Sequence, residues 1–280
     1  MNHTSFTFSS TDGLSLLGRA WLSNRENPTG IVHLVNGLGE HSGRYAHVAE
    51  TLNEAGYHFT GFDLRGHGLS EGKRGYTPDF EHLLDDIQIS ITETASRFDQ
   101  PFPIFLYGHS LGANLVLNYA LRRKHDLAGV IATAPSLRLA FKPSKVKLLM
   151  GKLMAKIMPS FTMSNALEIE ALSRDKAVVK AYRDDVYVHD RISARLAIDL
   201  LESGQYALDH ARDWKLPLLL MHGTADRITS HQASQEFADK TSTKVDLVLW
   251  DDYYHEIHND FGSDDVLAKM ITWLNKKTAR

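Results

Sequence analysis

Gly108-His109-Ser110-Leu111-Gly112 sets one serine between two glycines. It falls where the apolar run PIFLYG (103–108) gives way to LGANLVLNYALRRK (111–124), whose apolar residues recur at helical spacing. In the pattern G-x-S-x-G a tight strand-to-helix turn exposes the hydroxyl, and glycines stand where side chains would strike the neighbouring strand and helix. The N–H groups opening the helix after Ser110 would stabilise a developing oxyanion. Five residues match such a pattern by chance; the strand before and the helix after give it meaning.

A serine hydroxyl is a weak nucleophile until a base takes its proton, and the base needs an orienting acid. On a strand-turn-helix scaffold of this kind the acid and then the histidine follow the serine in the chain. Asp226, in LLLMHGTADRITS, leaves the next apolar strand and is the acid candidate; capping of the following helix is its simpler role. Asp251 and Asp252 come after the last strand and would need an unusual loop path. LWDDYYHEIHND offers His255 and His258 as base, and His255, closer to the strand, is favoured. HEIH does not fit H-E-x-x-H and no third ligand presents itself, so no metal is expected. The glycine-rich NGLGEHSGRY (36–45) follows the strand IVHLV, and Leu38 N–H is the expected second oxyanion donor beside Leu111 N–H.

These residues need a scaffold. FTFSS (6–10) and LSLLGRAWL (14–22) flank Asp12-Gly13 as a hairpin. IVHLV (31–35), HFTGF (58–62), PIFLYG, AGVIAT (128–133), PLLLMHG (217–223) and KVDLVLW (244–250) read as strands. Helical patterns lie at 45–56, 79–98, 111–124 and 266–277. Apolar strands alternating with helices predict an α/β fold, a mostly parallel sheet covered on both faces. Residues 137–207 break the rhythm without a strand-like run. They read as a helical insertion between two parts of one core, 1–136 and 208–280.

The 280-residue chain is 43% hydrophobic and 23% charged, with net charge −3 and no cysteine. That composition suits a soluble globular protein and gives no reason to expect nucleic acid as a partner. The absence of cysteine removes thiol nucleophiles, disulfides and cysteine metal sites. Neither a signal peptide nor a run of about 18 apolar residues is present, so the expected location is cytoplasmic.

NGLGEHSGRY, DLRGHGLSEGKRGY (63–76), GHSLGA (108–113) and HGTADRIT (222–229), with the segment 173–201, together resemble the monoacylglycerol lipase and lysophospholipase branch of the α/β-hydrolases, of the serine aminopeptidase S33 type. The resemblance runs from about residue 5 to 275. It implies an α/β-hydrolase fold, a Ser110–Asp226–His255 triad, an oxyanion held at Leu38 and Leu111, and hydrolysis of one fatty acyl ester from glycerol without a cofactor. It also implies that Glu40, Arg44 and His258 line the polar end of the pocket; a surface ion-pair network is the alternative. One departure stands out: the branch usually carries histidine before the first glycine of the oxyanion loop, and this chain has Asn36. Rival activities are lysophospholipase, general carboxylesterase and serine amidase. A catalytically idle fold that binds a lipid or signal molecule is the non-enzyme alternative.

Within the insertion, LRLAFKPSKVKLLMGKLMAKIMPSFTMSN (137–165) carries Arg138, Lys142, Lys145, Lys147, Lys152 and Lys156 and no acid. Val146, Met150, Leu153 and Ile157 recur at helical spacing, with Met154 and Met158 alongside. Apolar on one side and basic on the other, such a helix suits a lid lying on an anionic membrane or micelle surface, which would make the protein peripheral there. Met150 and Met154, flexible and apolar, suit an acyl-chain tunnel. The alternative is an apolar stripe packed on the core beneath solvated lysines.

Overall fold

Alternation along the buried strands layers the molecule. The computed structural model describes residues 3–279, and the side chain of Lys147 lies outside that description. Strands β1 (Thr4–Ser9), β2 (Ser15–Trp21), β3 (Gly30–Val35), β4 (Tyr57–Phe62), β5 (Ile104–His109) and β6 (Gly129–Thr133) come first. With β9 (Leu218–Gly223) and β10 (Asp246–Trp250) they form one eight-stranded sheet in the order β1-β2-β4-β3-β5-β6-β9-β10. β1 and β2 form the expected antiparallel hairpin, turned at Gly13 with φ +87°, and β2 runs antiparallel to β4. Every pairing from β4 to β10 is parallel.

Successive side chains of a strand face opposite sides, so each central strand feeds two cores. Phe105 and Tyr107 of β5, Leu219 and Met221 of β9, and Val32 and Leu34 of β3 face α1 (Ala46–Glu54) and α8 (Ser263–Thr278). Leu106, Leu218, Leu220 and Val35 face α2 (Phe80–Ala95), α3 (Leu111–Arg122) and α7 (His231–Lys240). α8 starts three residues before the apolar pattern does. Asp264 and Asp265 in its first turn suit the positive end of a helix.

Between β6 and β9 lie α4 (Lys145–Ile157), β7 (Thr162–Ser164), α5 (Lys176–Asp184), β8 (Arg191–Ser193) and α6 (Ala194–Asp209). The expectation that this segment holds no strand needs correcting. β7 and β8 pair antiparallel, Thr162 opposite Ser193 and Ser164 opposite Arg191. Runs of three residues are too short to carry a readable alternation. α6 packs on both α3 and α4, joining the insertion to the helix that follows Ser110.

Candidate active site

Ser110 follows β5, Asp226 follows β9 and His255 follows β10, so the sheet presents all three at its C-terminal edge, where open α/β sheets place their ligands. Ser110 has φ 53° and ψ −114°, a left-handed backbone that a non-glycine residue adopts only under constraint. Its N–H donates to Thr133 O at 3.0 Å, and its carbonyl accepts Asn114 N–H at 3.0 Å and Ser136 N–H at 3.1 Å. The two glycines are required by crowding. A Cβ on Gly108 would overlap Gly112 O, and one on Gly112 would overlap Val35 O at the end of β3. Ser110 Oγ lies 3.3 Å from Ser136 Oγ.

Asp226 Oδ2 accepts from His255 Nδ1 at 2.7 Å, and Oδ1 accepts the Ile228 and Thr229 N–H groups at 2.7 and 3.0 Å. A carboxylate only accepts, so Nδ1 carries the proton and Nε2 of His255 is left as a base. Burial disfavours the charged imidazole, but the charge and hydrogen bond of Asp226, with Glu256 and Glu40 adding to them, win and raise the pKa of His255. Burial alone would raise Asp226; the adjoining His255 and His222 hold it well below the usual carboxylate range.

The loop after β3 passes directly over the first turn of α3. Asn36 is fully buried; its amide donates to Gly37 O at 2.9 Å and Glu40 O at 3.1 Å, and its oxygen accepts Leu64 N–H at 3.2 Å. Gly37 N–H donates to Glu40 Oε1 at 2.6 Å. Among the described residues neither Leu38 N–H nor Leu111 N–H has an acceptor, so both are free to meet an oxyanion. A cavity of about 370 Å³, within the usual range for ligand pockets, is lined by Leu38, Ser110, Ser136 and His255. Leu139, Phe141, Leu167, Leu172, Ile192, Leu200 and Ile228 make its wall largely apolar. At its edge Arg227 of the core pairs with Glu168 of the insertion at 2.9 Å.

The chain matches the family model described as serine aminopeptidase, S33, over residues 26–261. It is 31% identical to a monoacylglycerol lipase of Mycolicibacterium smegmatis over 96% of this chain and 95% of that one. The solved structure of Paleococcus ferrophilus monoacylglycerol lipase superimposes with a TM-score of 0.83 at 33% identity, over 99% of this chain and 100% of that one. An uncharacterized abhydrolase domain-containing protein of Dictyostelium discoideum is 41% identical over 95% of this chain, which spans 28% of that protein's length. The chain belongs to the S33 family of α/β-hydrolases.

In this S33 hydrolase the residues expected around a polar head group are only partly at the cavity. Glu40 lines it, together with Glu256. Arg44 stands behind them, donating to Glu40 at 2.6 Å and to both Glu256 oxygens at 2.8 and 2.9 Å, with its guanidinium 4.7 Å from the Tyr182 ring centre on α5. The network is buried, not the surface set of ion pairs that was its alternative. His258 is not in the cavity wall. It stacks on Tyr45 at 4.9 Å and meets His109 edge-on at 4.8 Å, and burial pushes its pKa down to about 3, against the pull of Glu256. His258 therefore has neither the Asp226 partner nor the place at the cavity that His255 has.

Met150 and Met154 also need correcting, since neither lines the cavity. α4 lies against α6, Gly151 toward Ile198, and Met150 faces water at 53% exposure while Met154 is half-buried. Val146, Leu149, Leu153 and Ile157 are exposed beside Met150. The apolar stripe is therefore not packed on the core. Sequence reasoning also missed His222, Thr229 and Glu256. His222 stands one residue before the end of an otherwise apolar strand and four before Asp226, and that spacing was the available signal.

Proposed function

We propose that this S33 serine ester hydrolase releases a fatty acid from monoacylglycerol. In this reading His255 Nε2 takes the proton of Ser110, and Oγ attacks the ester carbonyl. Leu38 and Leu111 N–H groups hold the oxyanion, each contributing about 3 kcal/mol to the transition state. The imidazolium then protonates the departing glycerol oxygen, and a water repeats the sequence on the acyl-enzyme. The observation that carries the reading is that Ser110 and His255, the latter bonded to Asp226, line one largely apolar cavity beside two unbonded N–H groups. The similarity to monoacylglycerol lipases over nearly the whole chain supports the substrate class.

Residues 137–207 serve in this reading as the cap, with α4 as its membrane-facing surface. Val146, Leu149, Met150, Leu153 and Ile157 are exposed, and Lys145, Lys152 and Lys156 can meet anionic head groups. No helix among the described residues is long and apolar enough to cross a membrane, so contact would be peripheral.

The deciding measurement compares kcat/KM for monoacylglycerol, diacylglycerol, lysophosphatidylcholine and a p-nitrophenyl ester at equal acyl length, with Ser110→Ala as control. Preference for monoacylglycerol, lost in Ser110→Ala, is the expected result. Preference for the p-nitrophenyl ester with little turnover of any lipid would overturn the substrate and keep the nucleophile. Replacing Lys145, Lys152 and Lys156 with Glu should weaken binding to anionic liposomes; unchanged binding would remove the membrane surface from the proposal.

A further inference from the structure

Asp226 is held by two histidines. While His255 Nδ1 meets Oδ2 at 2.7 Å, His222 Nε2 meets the same oxygen at 3.0 Å, and His222 Nδ1 lies 2.7 Å from Ser234 Oγ on α7. His222 has no exposed surface and is the penultimate residue of β9, four residues before Asp226. Since the carboxylate only accepts, His222 Nε2 carries a proton toward it, and neutral Nδ1 must accept from the Ser234 hydroxyl. The result is a continuous chain, Ser234 to His222 to Asp226 to His255, reaching from α7 to the cavity.

We infer that His222 is a positioning residue of the hydrolytic site, fixing Oδ2 of Asp226 where His255 needs it and sharing the carboxylate's charge, with Ser234 selecting the tautomer that lets it do so. This rests on the triad reading above. A strand histidine is a stiff support: His222 pairs with Leu249 of β10 in the sheet, and with Thr229 Oγ1, 2.8 Å from the same oxygen, it holds Oδ2 while the Ile228 and Thr229 N–H groups hold Oδ1. Sharing Oδ2 also tempers the charge that His255 feels. The other titratable groups around the pair, among the described residues, are His231 on α7, 6.3 Å from the His222 ring, and Glu256, Glu40, His109 and His258 around His255.

His222→Leu removes the donor, and His222→Gln returns an amide N–H near the place of Nε2. The Leu variant should lose roughly 10- to 100-fold in kcat, the range expected for one hydrogen bond to a charged group, with KM within about twofold. Its acid limb of kcat/KM should move to higher pH, because an Asp226 with one donor fewer holds the imidazolium more tightly. The Gln variant should recover most of kcat and return the limb. Rates are normalised to sites titrated with a fluorophosphonate, so misfolded protein does not count. If the Leu variant does not fold, Ser234→Ala carries the test with a smaller loss and a limb moved the same way. An unmoved limb, or Gln no better than Leu, would overturn the inference. Loss of Ser110 labelling in wild-type protein would instead overturn the triad reading.

Discussion

Arg44 offers the sharpest test of how the site is held, because one guanidinium neutralises two carboxylates that serve different parts of it. Its side chain is 10% exposed, Glu40 4% and Glu256 2%. Glu40 Oε1 anchors Gly37 N–H in the oxyanion loop, and Glu256 adjoins His255. Arg44→Met keeps the volume and leaves two buried carboxylates without a cation, a fault that costs about 3–5 kcal/mol. At ~3 °C per kcal/mol for a chain near this size, the melting temperature should fall by about 10 °C. The sign with pH follows from Glu256: burial alone would raise its pKa, and the charge and hydrogen bonds of Arg44 hold it low. Without Arg44 its folded pKa rises above the unfolded value, so the penalty is present at high pH and relieved as pH falls through that raised pKa. Thermal unfolding of both proteins at pH 8 and 5.5 should therefore show a smaller gap at 5.5, and Arg44→Met/Glu256→Gln should recover part of the loss at pH 8. A gap under about 3 °C, or one that does not narrow with acid, would refute the view that Arg44 neutralises this pair.

Two further outcomes are expected. Gly112→Ala must push α3 off Val35 O at the end of β3, so expression of folded protein or fluorophosphonate labelling should collapse, whereas Ala113→Gly should label normally. His255 must be neutral to act and its pKa is raised above the ordinary 6.5, so activity should fall with acid through a midpoint above about 6.5 in wild-type protein; a midpoint below 6 would mean that Asp226 does not support it.

The scaffold could be read because strands and helices of this chain have different periods, and the change of period at Ser110, between two glycines, marks the turn to one residue. Asp226 and His255 were legible for a related reason: residues just beyond the last buried strands come to one sheet edge. What packs against what was not legible. An amphipathic pattern looks the same whether its apolar side faces a cavity, a core or water, so the pattern of α4 leaves lid and core packing open, and Met150 and Met154, expected in an acyl tunnel, do not reach the cavity. Arg44 and Glu256 are 212 residues apart in sequence, and nothing local to either announces the pair. His222 was concealed by its strand, where the apolar run hides which side chain turns toward the next loop.

The departure at Asn36 now has a physical account. An oxyanion donor is main chain, so what the position before Gly37 must supply is a fixed loop, not a particular ring. Asn36 does this with one buried amide that spans the loop from Gly37 O to Glu40 O while its oxygen holds Leu64 N–H. Glu40 closes the same loop from the other end through Gly37 N–H, and Arg44 ties Glu40 to the segment that carries His255. The donor loop and the base loop are thus braced against each other by side chains that need not touch substrate. Under the proposed function, another residue at Asn36 would serve provided it kept the loop fixed. Phe141, Leu167 and Ile192, all from between β6 and β9, line the cavity with Ser110, and under the proposed function they are the side chains that would discriminate between esters.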